Sequence, residues 1–216
     1  MKYAIAGASV LLLAASLMPA IAAPKPKASA TTLTQKDLRD CMGVDGSTHD
    51  VQIVACTKII KSGKVKPPHH ADYYATRGSA YFAKGDLDKA LADFNTAIGV
   101  RNASEFRFQR SLVHMSRKSF DSAKADLAEV IKQKPQFAPA YFMQGLIAYT
   151  SADYQDALSH FDGAIQRRPT YFQAIYARGV TKKKLGDDNG SKKDVSEALG
   201  MSPKVDKEME KLGFTL

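Results

Sequence analysis

Catalytic or metal-binding chemistry in this chain would depend first on its five histidines and its clustered carboxylates. The histidines form no H-E-x-x-H motif or other ligand pair on one helix face, and the adjacent His69 and His70 point apart. Residues 187–190 (Asp-Asp-Asn-Gly) resemble the start of a calcium loop but lack its later ligands, which indicates a turn. Neither G-x-S-x-G nor a phosphate-binding loop occurs. The sequence therefore predicts no catalytic residue, no metal and no cofactor, and an enzyme is the weakest of the functions considered.

The two cysteines, Cys41 and Cys56, could form a disulfide or provide a reactive thiol. A reactive thiol needs a neighbouring base, and no histidine lies at a spacing that suggests one. A disulfide persists in an oxidising compartment and is rare in the cytosol. The choice therefore depends on whether the chain is exported.

The N-terminus has the three parts of a secretory signal peptide: a positive charge at Lys2, an apolar run over residues 4–17, and an A-x-A ending at residues 20–22. A retained membrane anchor is the alternative, but the run is interrupted and shorter than the roughly 20 residues of a spanning helix. No cysteine directly follows it to carry a lipid. We expect residues 1–22 to be removed, leaving a periplasmic or secreted protein with no integral membrane span.

Export favours one disulfide between Cys41 and Cys56. Residues 23–34 are mostly Pro, Lys, Ala, Ser and Thr, with no large apolar side chain before Leu33. Such a segment cannot bury enough surface to offset its ordering entropy, so we expect a flexible linker. The folded part should begin near residue 35.

The formal net charge of +9 favours anionic partners. An exported protein rarely meets nucleic acid, so lipid headgroups, acidic cell-wall polymers or an acidic protein face are the better candidates. The alternative is ordinary solubilising charge. The densest basic patch comprises Lys182, Lys183, Lys184, Lys192 and Lys193.

A four-fold internal repeat occupies most of the chain, with steps of 33, 34 and 34 residues. Small residues recur in register at Ala90, Ala123, Ala157 and Ser191. Prolines close the last three units at Pro135, Pro169 and Pro203. Spacings of three and four place the recurring residues on single helix faces, so each unit is predicted to be a pair of helices, with Asp86 capping the second helix of the first unit.

These residues resemble the tetratricopeptide-repeat (TPR) family pattern, in which aromatic, small and aromatic residues precede A-x-x-x-F and a closing proline. The first unit has Y-x-x-R-G-x-x-Y at residues 74–81 and A-x-x-x-F at 90–94. The third has Y-x-x-Q-G at 141–145, A-x-x-x-F at 157–161, and Pro169. The resemblance implies an all-α solenoid of helix-turn-helix units wound into a right-handed superhelix.

The resemblance covers residues 71–203 and implies units at 71–103, 104–137, 138–171 and 172–203. Residues 50–60 resemble the leading half-repeat of exported bacterial TPR proteins, which carry such a cysteine pair. Residues 35–70 are therefore expected to form an N-terminal hairpin stapled by Cys41 and Cys56. Residues 204–216 are expected to form a capping helix over the fourth unit. Unit two departs from the pattern, because Arg107 and His114 replace large apolar or aromatic residues. Either their stems pack while their polar ends reach water, or that helix is rotated.

Beside the core stripe of each first helix runs a second stripe that the packing motif does not require: Ala75, Ser79 and Phe82; Phe108, Leu112 and Met115; Phe142, Leu146 and Tyr149; Tyr176, Val180 and Lys183. First helices line the inner face of such a solenoid, and contiguous exposed apolar surface commonly marks an interaction site. We expect a groove for a partner segment on Phe82, Phe108, Leu112, Met115, Phe142, Leu146, Tyr149 and Tyr176. The alternative is that several of these pack against neighbouring repeats.

An arginine occupies the same place in three units, at Arg77, Arg110 and Arg178. These guanidinium groups could meet acidic residues of a partner, but pairing with an acidic residue on an adjacent helix, or solvation, is the favoured interpretation. One subset of the family clamps a C-terminal carboxylate with Lys and Asn on these helices. Neither residue type occupies the matching positions here, so that kind of binding is not supported.

Two functions therefore remain. The first is a non-catalytic periplasmic scaffold that binds a protein or peptide partner in the groove, with a role in envelope assembly. The second is a structural envelope factor held to anionic lipid or cell-wall polymer by the basic patch. Salt discriminates them, because charge-driven binding weakens as ionic strength rises.

Overall fold

The computed structural model describes residues 32–44, 46–66 and 69–215. This part of the chain contains helices and no strand: α1 (Gln35–Met42), α2 (His49–Ser62), α3 (His70–Ala83), α4 (Leu87–Val100), α5 (Ser104–Ser116), α6 (Phe120–Gln133), α7 (Ala138–Thr150), α8 (Tyr154–Arg167), α9 (Phe172–Lys184), α10 (Asp188–Met201) and α11 (Val205–Glu210). The predicted signal peptide, and the linker up to residue 31, lie outside the described residues. None of the described helices is long and apolar enough to cross a membrane.

The helices form an all-α solenoid of successive hairpins, as predicted. Helices α3 and α4, α5 and α6, α7 and α8, and α9 and α10 pair within units, and each second helix packs against the next first helix. The hairpin of α1 and α2 precedes the first unit, with α2 packed on α3. The first helices therefore follow one another along one side of the stack.

The N-terminal hairpin is held by a disulfide and by a charged cap. Cys41 and Cys56 form the predicted disulfide between α1 and α2, and both are fully buried. The Asp37 amide donates to the Thr34 hydroxyl at 3.1 Å, and the Thr34 amide donates to the Asp37 carboxylate at 2.7 Å. Lys58 of α2 donates to the same carboxylate at 2.7 Å. The bond from Lys58, followed by those from Thr34, lowers the pKa of Asp37 to about 2.

The turn inside each unit has a constant geometry. A carboxylate caps the second helix in three units by accepting the amide three residues on: Asp86, as predicted, with Asp153 and Asp187. The residue before the cap is left-handed in all four units: Gly85, Lys118, Ala152 and Gly186. Glycine adopts this conformation without steric cost, so units two and three have the less favourable turns.

A small residue on each first helix lets the paired second helix approach closely. A Cβ placed on Gly145 would lie 2.5 Å from the Phe161 ring, which is fully buried. Unit two instead has Ser111 and Leu127 at these two places, both fully buried. The serine of unit two is larger than the glycine of unit three, and the leucine that packs against it is smaller than the phenylalanine.

The arginine row is structural, as the favoured interpretation predicted. Each guanidinium binds a buried aspartate of its own second helix, with Nε–Oδ2 distances of 2.8, 2.7 and 2.7 Å: Arg77 with Asp93, Arg110 with Asp126, and Arg178 with Asp194. Each also bonds the second helix of the preceding hairpin, at Thr57, Asn95 and Asp162 respectively. Each arginine thereby joins three helices. In unit three both partners are replaced together, by Gln144 and His160.

Candidate functional site on the first-helix stripe

The second stripe of the first helices divides into two parts. We call its half-exposed residues on α3 and α5 the open stripe: Phe82, Phe108, Leu112 and Met115. We call the residues on α7 and α9 the covered stripe: Phe142, Leu146, Tyr149 and Tyr176. Within one helix the stripe residues lie three or four positions apart, so their side chains are on the same face.

The open stripe borders a cavity in unit two, at the end nearer unit three. Phe108 meets Phe137 edge-on, with ring centroids 5.1 Å apart. A cavity of about 280 Å³ opens beside these rings and reaches Val130 and the Glu105–Lys134 ion pair. Its volume is near the lower end of ligand pockets, roughly 300 Å³. The cavity is apolar inside and charged at its edge, which suits one apolar side chain of a longer segment.

Met115 and Phe82 join the open stripe to the cores of the neighbouring units. Met115 packs against both the core shared by α6 and α7 and the core of units three and four. Phe82 packs against the core of unit one. An extended partner segment could therefore contact these side chains in sequence along the inner face.

The expectation of an exposed groove is wrong for three residues of the covered stripe. Phe142, Leu146 and Tyr176 retain only 3, 7 and 4% of their surface. Tyr149 is half-buried, and burial raises its pKa. Phe142 packs against the Phe161 ring of the paired helix α8, with centroids 5.8 Å apart. Tyr149 and Tyr176 instead lie beside the end of the chain.

The C-terminal segment, which we define as residues 204–215, covers the part of this stripe around Tyr149 and Tyr176. Val205 and Met209 are fully buried and Phe214 is 1% exposed, all within the core that includes the covered stripe. The Phe214 ring stacks on Tyr149 with centroids 4.0 Å apart. As the sequence predicted, α11 packs on unit four, where it contacts α9 and α10. The segment also extends onto unit three, through the contact of Phe214 with Tyr149.

Comparison with known proteins supports this architecture. Residues 71–103 and 108–172 each match a family model described as tetratricopeptide repeat. These two stretches are tetratricopeptide repeats. A human relative, tetratricopeptide repeat protein 6, is 24% identical over 108 residues, which span 50% of this chain and 21% of that protein. The chain thus corresponds to about a fifth of the length of this curated relative.

Solved TPR structures share the fold. A crystal structure of MamA is 18% identical with a TM-score of 0.67, covering 82% of this chain and 99% of that one. MamA 41-end from Desulfovibrio magneticus RS-1 is 14% identical with a TM-score of 0.69, covering 80% and 98%. YrrB, described as a TPR protein with an unusual peptide-binding site, is 17% identical with a TM-score of 0.61, covering 79% and 86%. At these identities the similarity shows the fold alone.

The basic patch is smaller than the sequence suggested. Lys182 is half-buried and pairs with the buried Asp194 at 2.9 Å, and Lys183 pairs with Asp188 at 2.6 Å. The hydrogen bond from Lys183 lowers the pKa of Asp188. The exposed charge of the patch is therefore carried mainly by Lys184, Lys192 and Lys193.

The departures of unit two from the TPR pattern meet at one aspartate. Arg107 donates to Asp126 at 3.1 Å beside Arg110, and the His114 ring lies 4.0 Å from the same carboxylate. Burial lowers the pKa of His114, and Arg110 and Arg117 act in the same direction, while Asp126 opposes them. The polar ends of Arg107 and His114 thus turn toward a buried anion rather than toward bulk water.

Proposed function

We propose that this protein is an exported, non-catalytic scaffold of the periplasm that binds a segment of a partner protein on the open stripe. The main support is the row of half-exposed apolar side chains on successive first helices, which borders the cavity beside Phe108. Rigid aromatic anchors next to apolar pockets are typical of the strongest contacts in protein interfaces. The peptide-binding site named for YrrB is consistent with a peptide ligand on this fold.

Export and the periplasmic location rest on sequence features. The charge at Lys2, the apolar run and the A-x-A ending favour removal of residues 1–22, and a disulfide such as Cys41–Cys56 is typical of oxidising compartments. A role in envelope assembly is the corresponding biological expectation. The alternative attachment to anionic lipid or polymer has less support, because two of the five patch lysines are engaged in ion pairs.

The test is affinity capture from an envelope extract of the source organism with the protein from Ala23 onward. The perturbed protein carries Phe108→Ala with Leu112→Ala, which removes two neighbouring side chains of the open stripe. The control carries Val54→Ala, which shortens an apolar side chain at a 70% exposed residue of α2 away from the stripe. Far-UV circular dichroism and thermal unfolding establish that all three proteins are folded.

We expect a partner that is retained by the unaltered protein and the Val54 control and lost by the open-stripe variant. Raising the salt concentration should leave this capture largely unchanged, because apolar contacts are not screened. Equal capture by a folded open-stripe variant would exclude the stripe as the site. Capture that salt abolishes would instead favour the basic patch.

A further inference from the structure

The C-terminal segment organises itself locally. The Phe214 amide donates to the Met209 carbonyl at 3.0 Å, and the Gly213 amide donates to the Glu210 carbonyl at 2.9 Å. Gly213 has φ of +85°. This pair of bonds across a left-handed glycine is the Schellman motif that ends helices, and it commonly brings the residues equivalent to Met209 and Phe214 together. The motif places the three apolar side chains of the segment on one side.

That side of the segment packs on the covered stripe around Tyr149 and Tyr176. Phe214 stacks on Tyr149 and meets the Phe161 ring edge-on at 5.9 Å. Val205, Met209 and Phe214 share one apolar cluster with Phe142, Leu146, Tyr149 and Tyr176. The other side of the segment, with Lys207, Glu208 and Lys211, is exposed. The segment is therefore an amphipathic peptide seated on the inner face.

The segment does not take the place that a next repeat would occupy. Each first helix in the stack lies mainly on the second helix before it, as α5 lies on α4, whereas α11 contacts α9 more extensively than α10. The corresponding face of α10 stays open, with a cavity of about 420 Å³ beside Val195 and Leu199. A cap whose purpose was to close the stack would cover that face first.

We propose that the C-terminal segment is an internal ligand of the covered stripe, and that partner proteins bind there by displacing it with a segment of the same chemistry. This inference rests on the proposed scaffold function and extends it to units three and four. The fitting partner is a short amphipathic helix. It has an aliphatic residue and, four positions later, a methionine or leucine. An aromatic residue follows five positions after that, and the residue directly before the aromatic one is a glycine that ends the helix.

Position and tethering refine this ligand. Asp206 and Glu210, one and five positions after the aliphatic residue, line a small cavity with Tyr176 and Phe214. Only residues 202–204 separate α11 from α10. A linker this short gives the segment a high effective concentration, which a free partner must overcome. Weakening the internal contact should therefore raise the apparent affinity for an external segment.

The protein is expressed from the whole gene in cells that export it, so that its C-terminus is intact. The probe is a fluorescein-labelled peptide of residues 203–215. Phe214→Ala removes the stacked ring, and Leu212→Ala is the matched control, because Leu212 lies two positions away and is 52% exposed. Fluorescence anisotropy should show at least tenfold tighter peptide binding to Phe214→Ala than to the unaltered protein or the control. A peptide that itself carries Phe214→Ala should not bind to any of them.

Equal peptide affinity for the three folded proteins would overturn the proposal and leave capture through Phe108 and Leu112 untouched. If Phe214→Ala fails to fold, hydrogen exchange on the unaltered protein decides. The amides of Gly213 and Phe214 should then exchange at least a hundredfold faster than buried amides of α9, because the segment opens by itself. If the two regions were equally protected, the C-terminal segment would open only together with the rest of the core, and the proposal would be refuted. Peptide-dependent dimers that exchange their segments would also refute it, since the occupant would be a second copy.

Discussion

The small residue of each first helix provides the sharpest structural prediction, and Gly145→Ala is the decisive change. The added Cβ would lie 2.5 Å from Cε1 and 2.6 Å from Cδ1 of Phe161. Real Cβ atoms do not approach this closely, so the ring or the helix must move. Phe161 is fully buried between Phe142 and Phe214, with ring centroids 5.8 and 5.9 Å away. The neighbouring rings therefore restrict where the Phe161 ring can move.

Two opposing terms set the magnitude. Alanine in place of a helical glycine gains about 1 kcal/mol of helix stability. Overpacking a filled core costs about 1–3 kcal/mol, and the enclosed ring places this site at the upper end. The free energy of unfolding should therefore fall by about 2 kcal/mol, and the urea midpoint should move down.

Unit two indicates how the loss can be reversed. It combines Ser111 with Leu127 at the places of Gly145 and Phe161. In a Phe161→Leu background, Gly145→Ala should cost at least about 1 kcal/mol less than alone, which is a coupling typical of residues in contact. Urea unfolding of the four proteins of this double-mutant cycle, followed by circular dichroism, measures the coupling.

Gly99→Ala is the control, because Gly99 is exposed on α4 and a Cβ there would meet nothing within 4 Å. It should stabilise the protein by about 0.5–1 kcal/mol through helix propensity alone. If Gly145→Ala also stabilised the protein, or if Phe161→Leu gave no relief, the close approach of α7 and α8 would not limit packing as described.

Three further changes test the elements that hold the fold. Replacing Cys41 and Cys56 by serine should destabilise the N-terminal hairpin by about 3 kcal/mol for a loop of this size, and native thiol titration of the unaltered protein should find no thiol; two titratable thiols would contradict the disulfide. Arg77→Ala should cost about 3–5 kcal/mol because it strands the buried Asp93 carboxylate, and a double variant with both residues replaced by leucine should unfold at higher urea than the single one; an equal or larger loss in the double variant would show that the pair is not the cause. His114 has a lowered pKa in the folded state, so the unfolded chain binds more protons than the folded one as pH falls through about 6.5. The free energy of unfolding should therefore be highest above that pH and decline below it. His114→Gln should make the thermal-unfolding midpoint depend less on pH between pH 5 and 7.

The repeat could be predicted because its signals are local. Spacings of three and four define helix faces, a left-handed turn and a capping aspartate end one helix and begin the next, and a repeat step of 33 or 34 residues superposes the units. The arginine row was also within reach of the sequence. Arginine and aspartate disappear together in unit three, where Gln144 and His160 stand, as expected if the two positions contact each other.

Local spacing could not predict which residues of the second stripe are exposed. Helix periodicity shows which side chains share a face, but not what lies above that face. Phe214 reaches Tyr149 across 65 positions of the chain (214 minus 149), and no local spacing encodes that contact. The nearest sequence signal is the apolar pair Val205 and Met209 followed by a glycine and an aromatic residue, which predicts a helix end with a shared apolar side.

The sequence by itself thus determined the TPR solenoid, the disulfide and the face on which a partner would be sought, because each depends on residue types at fixed short spacings. Only the tertiary structure decided that Phe108 and Leu112 remain accessible while Phe142 and Tyr176 are covered. The physical reason is that burial is a property of everything packed around a side chain, including the distant end of the same chain.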